Sequence, residues 1–213
     1  MDIILFGMQG SGKGTQGKIF AERHGIQVFE TGAELRKLAS ENSPLGKKVK
    51  EIIEAGHLVS NEIVMEIIEN FMKTIKPGIT VLFDGIPRKT DQAETFDALM
   101  KKLGRDFIGV LIEISEESAM KRLTTRRICG KCKEVYPVQY KKDSCEKCGG
   151  ELITRKDDNA SAIATRLKAF QEETMPVIKK YQSENKMISV NGDQSIENVD
   201  KDLESSLASL LAN

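Results

Sequence analysis

Two short stretches of this 213-residue sequence combine residue types and spacings that do chemistry. Gly7-Met8-Gln9-Gly10-Ser11-Gly12-Lys13 has the G-x-x-x-x-G-K spacing, set between an apolar run, Ile3 to Phe6, and helix-like sequence from Lys13 to Arg23. Strand, loop and helix in that order is the setting in which the motif binds phosphates. Glycines let the backbone wrap around phosphate oxygens, its N–H groups and the helix N-terminus donate to them, and Lys13 neutralises the terminal phosphates. The loop from Gly7 to Thr15 therefore points to a nucleoside triphosphate and to phosphoryl transfer. Gly14 stands where Ser or Thr normally meets magnesium, with Thr15 one residue late. A GTPase would need a D-x-x-G switch and an N-K-x-D element, and Asp84-Gly85-Ile86-Pro87 supplies no such switch.

The second stretch holds all four cysteines: Cys129-x-x-Cys132, twelve intervening residues, then Cys145-x-x-Cys148. Two C-x-x-C knuckles signal tetrahedral zinc, whereas a redox dithiol needs only one pair. Four thiolates close the shell and leave no place for water, so the metal is expected to be structural. In isolated zinc-finger peptides such a site is worth about 10 to 16 kcal/mol, enough to fold a segment too small for its own core. A zinc ribbon for nucleic acid is one use, favoured by Lys131, Lys133, Lys141, Lys142 and Lys147 and opposed by Glu134, Asp143, Glu146 and Glu151.

These stretches must be positioned by the rest of the chain. Short apolar strands are expected at Ile3–Phe6, Gln27–Glu30, Thr80–Asp84, Ile108–Ile114 and Met187–Val190. Between them lie helical patterns: Leu45, Val49, Ile52 and Ile53 at helical spacing, a helix after Ser60 as N-cap, and one with Ala93, Phe96 and Leu103 behind an Asp91/Glu94 capping box. Ser115 caps another. A long helix starts near Asn159 with Ile163, Leu167 and Phe170 on one stripe and a kink at Pro176, and a last helix aligns Val199, Leu203 and Leu210. Strands alternating with helices imply an α/β fold, a five-stranded parallel sheet with helices on both faces and ligands at the strands' carboxyl ends. Length suits one main domain with a small insertion or two.

Lys plus Arg (32) offsets Asp plus Glu (32), so no global field recruits nucleic acid or an anionic membrane. No leader of signal-peptide type and no bilayer-length apolar run is seen, and clustered cysteines suit a reducing compartment, so the expected location is cytoplasmic.

Gly12-Lys13-Gly14-Thr15-Gln16, Thr31-Gly32 with Leu35-Arg36, Asp84-Gly85-Ile86-Pro87-Arg88 with Gln92, and Arg155-Lys156-Asp157-Asp158, in this order, resemble the adenylate kinases over nearly the whole chain. The resemblance implies a P-loop nucleotide kinase with a core of residues 1–30, 60–126 and 155–213, a helical AMP-binding insertion of 31–59 and a zinc-binding lid of 127–154. It implies reversible, Mg2+-dependent transfer from ATP to AMP giving two ADP, by a monomer whose partners are small nucleotides, with neither nucleic acid nor membrane. Gly10, Ser11, Gly12, Lys13, Gly14 and Thr15 would hold the ATP phosphates, with Arg122, Arg126, Val135, Tyr136 and Gln194 also on the ATP. Thr31, Gly32, Arg36, His57, Leu58, Val59, Gly85, Ile86, Pro87, Arg88, Gln92, Arg155 and Arg166 would form the AMP site.

Lys13, Asp84, Arg88, Arg126, Arg155 and Arg166 would carry the catalysis, Asp84 beside the magnesium and the arginines over the transferring group. Cys129, Cys132, Cys145 and Cys148 would hold structural Zn2+ at the tip of a lid hinged near Arg127 and Arg155. The chemistry agrees: Arg36 and Arg88 offer planar forks for a monophosphate, and Gln92 can present donor and acceptor to an adenine edge. No general base is needed, which leaves His24 and His57 as surface or packing residues, His57 with backbone contacts to AMP. Gln9 replaces a common proline, Ala33 stands where an acidic residue is frequent, and Ile86 replaces an aromatic wall of the AMP pocket. Another nucleoside monophosphate kinase, for UMP, CMP or GMP, and a zinc-ribbon nucleic-acid-binding ATPase are the rival readings.

Overall fold

The computed structural model describes residues 1–137 and 139–211, the last three of these by backbone only. The chain begins with β1 (Asp2–Phe6), α1 (Lys13–His24) and β2 (Gln27–Glu30), followed by α2 (Thr31–Ala39), α3 (Pro44–Glu54) and α4 (Asn61–Thr74). Next come β3 (Val81–Asp84), α5 (Thr90–Lys102), β4 (Phe107–Glu113) and α6 (Glu116–Thr125). Three short strands, β5 (Arg127–Cys129), β6 (Val135–Tyr136) and β7 (Leu152–Ile153), precede α7 (Ala160–Ala169), α8 (Met175–Ser183), β8 (Met187–Asn191) and α9 (Ile196–Leu211).

The main sheet has five strands in the order β2-β3-β1-β4-β8, all pairs parallel, as the alternating pattern predicts. The central strands β1, β3 and β4 are largely apolar because both faces are covered, whereas the edge strand β2 carries Gln27 and Glu30 and leaves Gln27 and Val28 exposed. Ile4 and Phe6 of β1 face one buried cluster with Phe29, Phe83, Phe96 and Tyr181, while Ile3 and Leu5 face another with Phe20, Val110, Ile112, Val199 and Leu203. The chain leaves β1 for β2 on one side and later crosses to β4 on the other, so a crevice opens at the carboxyl end of β1. Register sets what lines it: Asp84 ends β3 opposite Leu5 on one side and Glu30 on the other.

Several local expectations hold and several do not. Ser115 and Asn159 cap α6 and α7, accepting from Ser118 N at 3.2 Å and Ala162 N at 2.9 Å. The Asp91/Glu94 capping box does not form. Helix α5 starts at Thr90, so Asp91 lies inside the first turn, where its charge complements the helix dipole and its Oδ1 accepts from Gln92 N. Ser60 occupies the N-cap of α4 without a side-chain bond to the helix. Leu45, in the first turn of α3, and Leu103, after the last turn of α5, are each 42% exposed and lie off their stripes. The helix expected to kink at Pro176 is interrupted just before it, by a π-helical turn at Phe170–Thr174 that leads into α8 with Pro176 in its first turn. Val199 and Leu203 of α9 are buried, joined by Leu207, and the side chain of Leu210 lies outside the described residues.

Residues 127–153 leave the main sheet and form a small antiparallel sheet, β6-β5-β7. Among the described residues no helix is long and apolar enough to cross a membrane.

Candidate active site

The loop after β1 turns at Gly7, where φ is +146° and a Cβ would come within 2.5 Å of Ile112 O. Only glycine permits that exit. Ser11 N donates to Met8 O at 3.0 Å to close the turn, and Lys13, the first residue of α1, reaches back to Gly7 O at 2.6 Å and Met8 O at 3.1 Å. Burial pushes the Lys13 ammonium down to about 8, Asp84 opposing the shift and Arg88, Arg126 and Arg166 adding to it. Burial likewise raises Asp84, against the pull of Lys13, and lowers Arg88. Four cations thus surround the loop, where an anion is the missing partner. Two orphaned donors say the same: the Ser11 hydroxyl and the Arg166 Nε–H are buried without a partner.

Three of the arginines are fixed by two carboxylates. Arg126, at the end of α6, donates to Asp158 at 2.8 and 2.7 Å, and Arg166, on α7, donates to the same carboxylate at 2.8 Å. Arg155 pairs with Asp157 at 2.9 and 2.5 Å, and Arg166 also touches Asp157 at 3.4 Å. Sequence reasoning noted Asp157 and Asp158 only as part of a motif; the signal available was two adjacent acids beside an arginine pair. Arg88 Nε donates to Gly85 O at 2.7 Å, and Thr174 Oγ1 donates to Arg88 O at 3.0 Å, which anchors the loop after β3.

A cleft of about 1510 Å³ runs along the carboxyl edge of the sheet. Gly10 to Thr15, Arg122, Arg126, Val135, Tyr136 and Gln194 line it on the loop side; Thr31, Gly32, Arg36, His57, Leu58, Val59, Gly85, Arg88 and Gln92 line the other, with Arg155 and Arg166 between. Ile86 and Pro87 border an adjoining cavity of about 20 Å³ that shares Gln9, Lys13, Gly85 and Arg88 with the cleft, and the Ile86 side chain is buried in the main core. Arg122 also donates to Gly192 O at 2.8 Å and Gly10 O at 3.3 Å, bracing the phosphate loop against the segment after β8. Gln92 Oε1 accepts from Arg88 N at 2.7 Å, which leaves its amide N–H groups as the part able to meet a ligand. Tyr136 borders the cleft, but its hydroxyl is engaged by Cys145 Sγ at 3.1 Å and Glu146 N at 3.0 Å.

The four cysteine sulfurs lie within 4.8 Å of one another, with Cys129–Cys148 at 3.4 Å and Cys132–Cys145 at 3.5 Å. Tetrahedral Zn–S bonds of about 2.3 Å require S···S separations of about 3.8 Å, so the set fits structural zinc. Glu134, between the knuckles, bridges Lys147 at 2.7 Å and Lys18 of α1 at 2.6 Å.

The adenylate kinase family model matches residues 5–186. An adenylate kinase of Petrotoga mobilis is 38% identical over 208 residues, covering 95% of both chains. Those of Kosmotoga olearia and Archaeoglobus fulgidus are 37% and 36% identical, covering 99% and 97% of this chain and 100% and 98% of their own.

Proposed function

As the chain belongs to the adenylate kinase family, and is thus a phosphotransferase, we propose that it moves the terminal phosphoryl group of ATP to AMP, reversibly, giving two ADP. The observation that carries this reading is the convergence of Lys13, Arg88, Arg126 and Arg166 between the phosphate loop and the Thr31–Arg36 pocket.

The loop amides from Gly10 to Thr15 hold the donor's phosphates, and Lys13 shifts from its own carbonyls to the terminal ones. Arg36 and Arg88 hold the acceptor's monophosphate, Thr31 offers its unpartnered hydroxyl, and Gln92 donates to the base. Arg126, Arg155 and Arg166, held in place by Asp157 and Asp158, stabilise the charge spread over the transferring group. Direct in-line displacement needs alignment and charge stabilisation and no covalent step by the protein. Asp84 and the Thr15 hydroxyl, both lining the cleft, are oxygen donors that suit Mg2+, which when bound neutralises charge between the phosphates. A Cβ on Gly14 would lie 3.6 Å from Asp84 Oδ2, so these groups share one wall.

Residues 127–154 act as the zinc-held lid, excluding water that competes as phosphoryl acceptor; residues 31–59 bind AMP and the remainder is the core. The enzyme works as a cytoplasmic monomer on free nucleotides. A coupled ADP-formation assay with AMP, UMP, CMP and GMP tests this: AMP is expected to be the preferred acceptor with strict dependence on Mg2+. Preference for another monophosphate would replace the acceptor assignment, and nucleic-acid-stimulated hydrolysis without any acceptor would overturn the kinase reading.

A further inference from the structure

The acceptor side of the cleft contains a carboxylate that the mechanism above does not use. Glu30 is the last residue of β2 and pairs in register with Asp84 at the end of β3, on strands spaced about 4.8 Å apart. Its Oε1 accepts from Arg36 Nη2 at 2.9 Å, and its side chain lines the same cleft as Arg88 and Arg155. The negative charge of Glu30 acts on Arg36, Arg88, Arg155 and Asp84 alike, so it stands among the groups offered to the monophosphate. The Arg36–Glu30 pair is half-exposed, 39% and 44%, and pairs of that kind are weak and readily exchanged.

We propose that Glu30 is the resident counter-ion of the acceptor pocket: it holds Arg36 while the pocket is empty and competes with the incoming phosphate, setting a weaker affinity for the acceptor than the arginines alone would give. A monophosphate dianion that takes the Arg36 fork must displace one carboxylate and then sit beside two, Glu30 and Asp84. On the triphosphate side Lys13 donates to neutral carbonyls, and Arg126 is paired with the fully buried Asp158 rather than with a half-exposed carboxylate. Glu30 therefore tunes one substrate and not the other. Thr31, next in the chain, keeps its hydroxyl buried and unpartnered, so the pocket is otherwise set up to receive oxygen ligands.

The inference rests on the acceptor assignment made above, and calorimetry separates the two. AMP and ATP are titrated separately into the wild-type, Glu30→Gln and Glu30→Asp proteins, with thermal unfolding as the check on folding. Removing the charge is expected to tighten AMP on the order of fivefold and leave ATP binding within about twofold. Glu30→Asp, which keeps the charge, stays near wild type. In initial rates the change appears in KM for AMP rather than in kcat, and in an Arg36→Ala background the gain from Glu30→Gln shrinks. Equal or weaker AMP binding by Glu30→Gln, or the same gain in Glu30→Asp, would overturn the counter-ion role while the acceptor reading stands. If the wild-type protein takes a different monophosphate, the acceptor reading falls and the same titrations with that nucleotide decide on Glu30. Binding of no monophosphate by any of the proteins would sink both.

Discussion

The phosphate loop and the cysteine module face each other across one cleft and are held together by opposite means. The loop is shaped by its surroundings: it leaves a strand buried on both faces, turns where only glycine fits, and is braced by Lys13 and Arg122. The module has little interior: among its described residues only Cys129, Tyr136 and Cys145 are buried, with a few partly buried neighbours. Its strands are two or three residues long, far below what a free sheet needs. The loop's geometry is therefore a property of the chain, whereas the module, with four clustered cysteines in place of a core, is expected to need a metal as well. Treatments exist that should damage one and spare the other.

The largest effect is expected at Lys13. Lys13→Ala should lower kcat by about two to three orders of magnitude, as loss of a preorganised charge at the reacting group does, with no fall in the thermal midpoint because a buried ammonium is removed. A drop in both together would mean that the loop depends on Lys13 for its shape, and the contrast would fail.

Next comes metal. Chelation, or Cys129→Ser, should unfold residues 127–153 alone and reduce turnover by about 10- to 100-fold, an effect comparable to losing the supports of a metal site. Hydrogen exchange should show β5–β7 exposed and the main sheet protected. Metal analysis of purified protein provides the companion measurement, with one zinc per chain expected.

A smaller effect is expected from pH. Lys13 in the empty site titrates at about 8, below an unfolded lysine, so between pH 8 and 10 the unfolded chain holds the extra proton. The destabilisation caused by burying the ammonium is thus present at pH 7 and relieved as pH rises through 8, relative to Lys13→Ala. Bound triphosphate favours the ammonium, so binding near pH 9 should take up about one proton, and near pH 6.5 almost none. Calorimetry in buffers of different ionisation enthalpy reads this directly.

The smallest effect is at Glu134, the exposed link from module to α1. Glu134→Gln should change stability by less than about 1 kcal/mol and raise proteolytic cleavage within 127–154 in the nucleotide-free protein.

Much of the fold was legible because the central parallel strands, covered on both faces, read as apolar runs, and the carboxylate of Asp84 marks where such a run meets the cleft. The phosphate loop and the cysteines were legible because their geometry needs fixed spacings within a short stretch. What escaped depends on distant partners. Asp158 meets Arg126 from 32 residues away, and Glu30 acquires its significance from register with Asp84. Ile86, apolar beside polar neighbours, gives no sign of which wall it faces until β3 and its helices are assembled. The capping box failed by two residues, since Lys89 is the N-cap and Asp91 is already the second residue of the helix.

The triad of Arg126, Asp158 and Arg166 has a mechanical side. Arg126 immediately precedes β5 and Asp158 follows β7 by five residues, so one carboxylate clasps together both stems from which the cysteine module projects. The clasp ties the root of the module to arginines that line the cleft, so on the lid reading proposed above a pull on those arginines acts at the root and not at the tip.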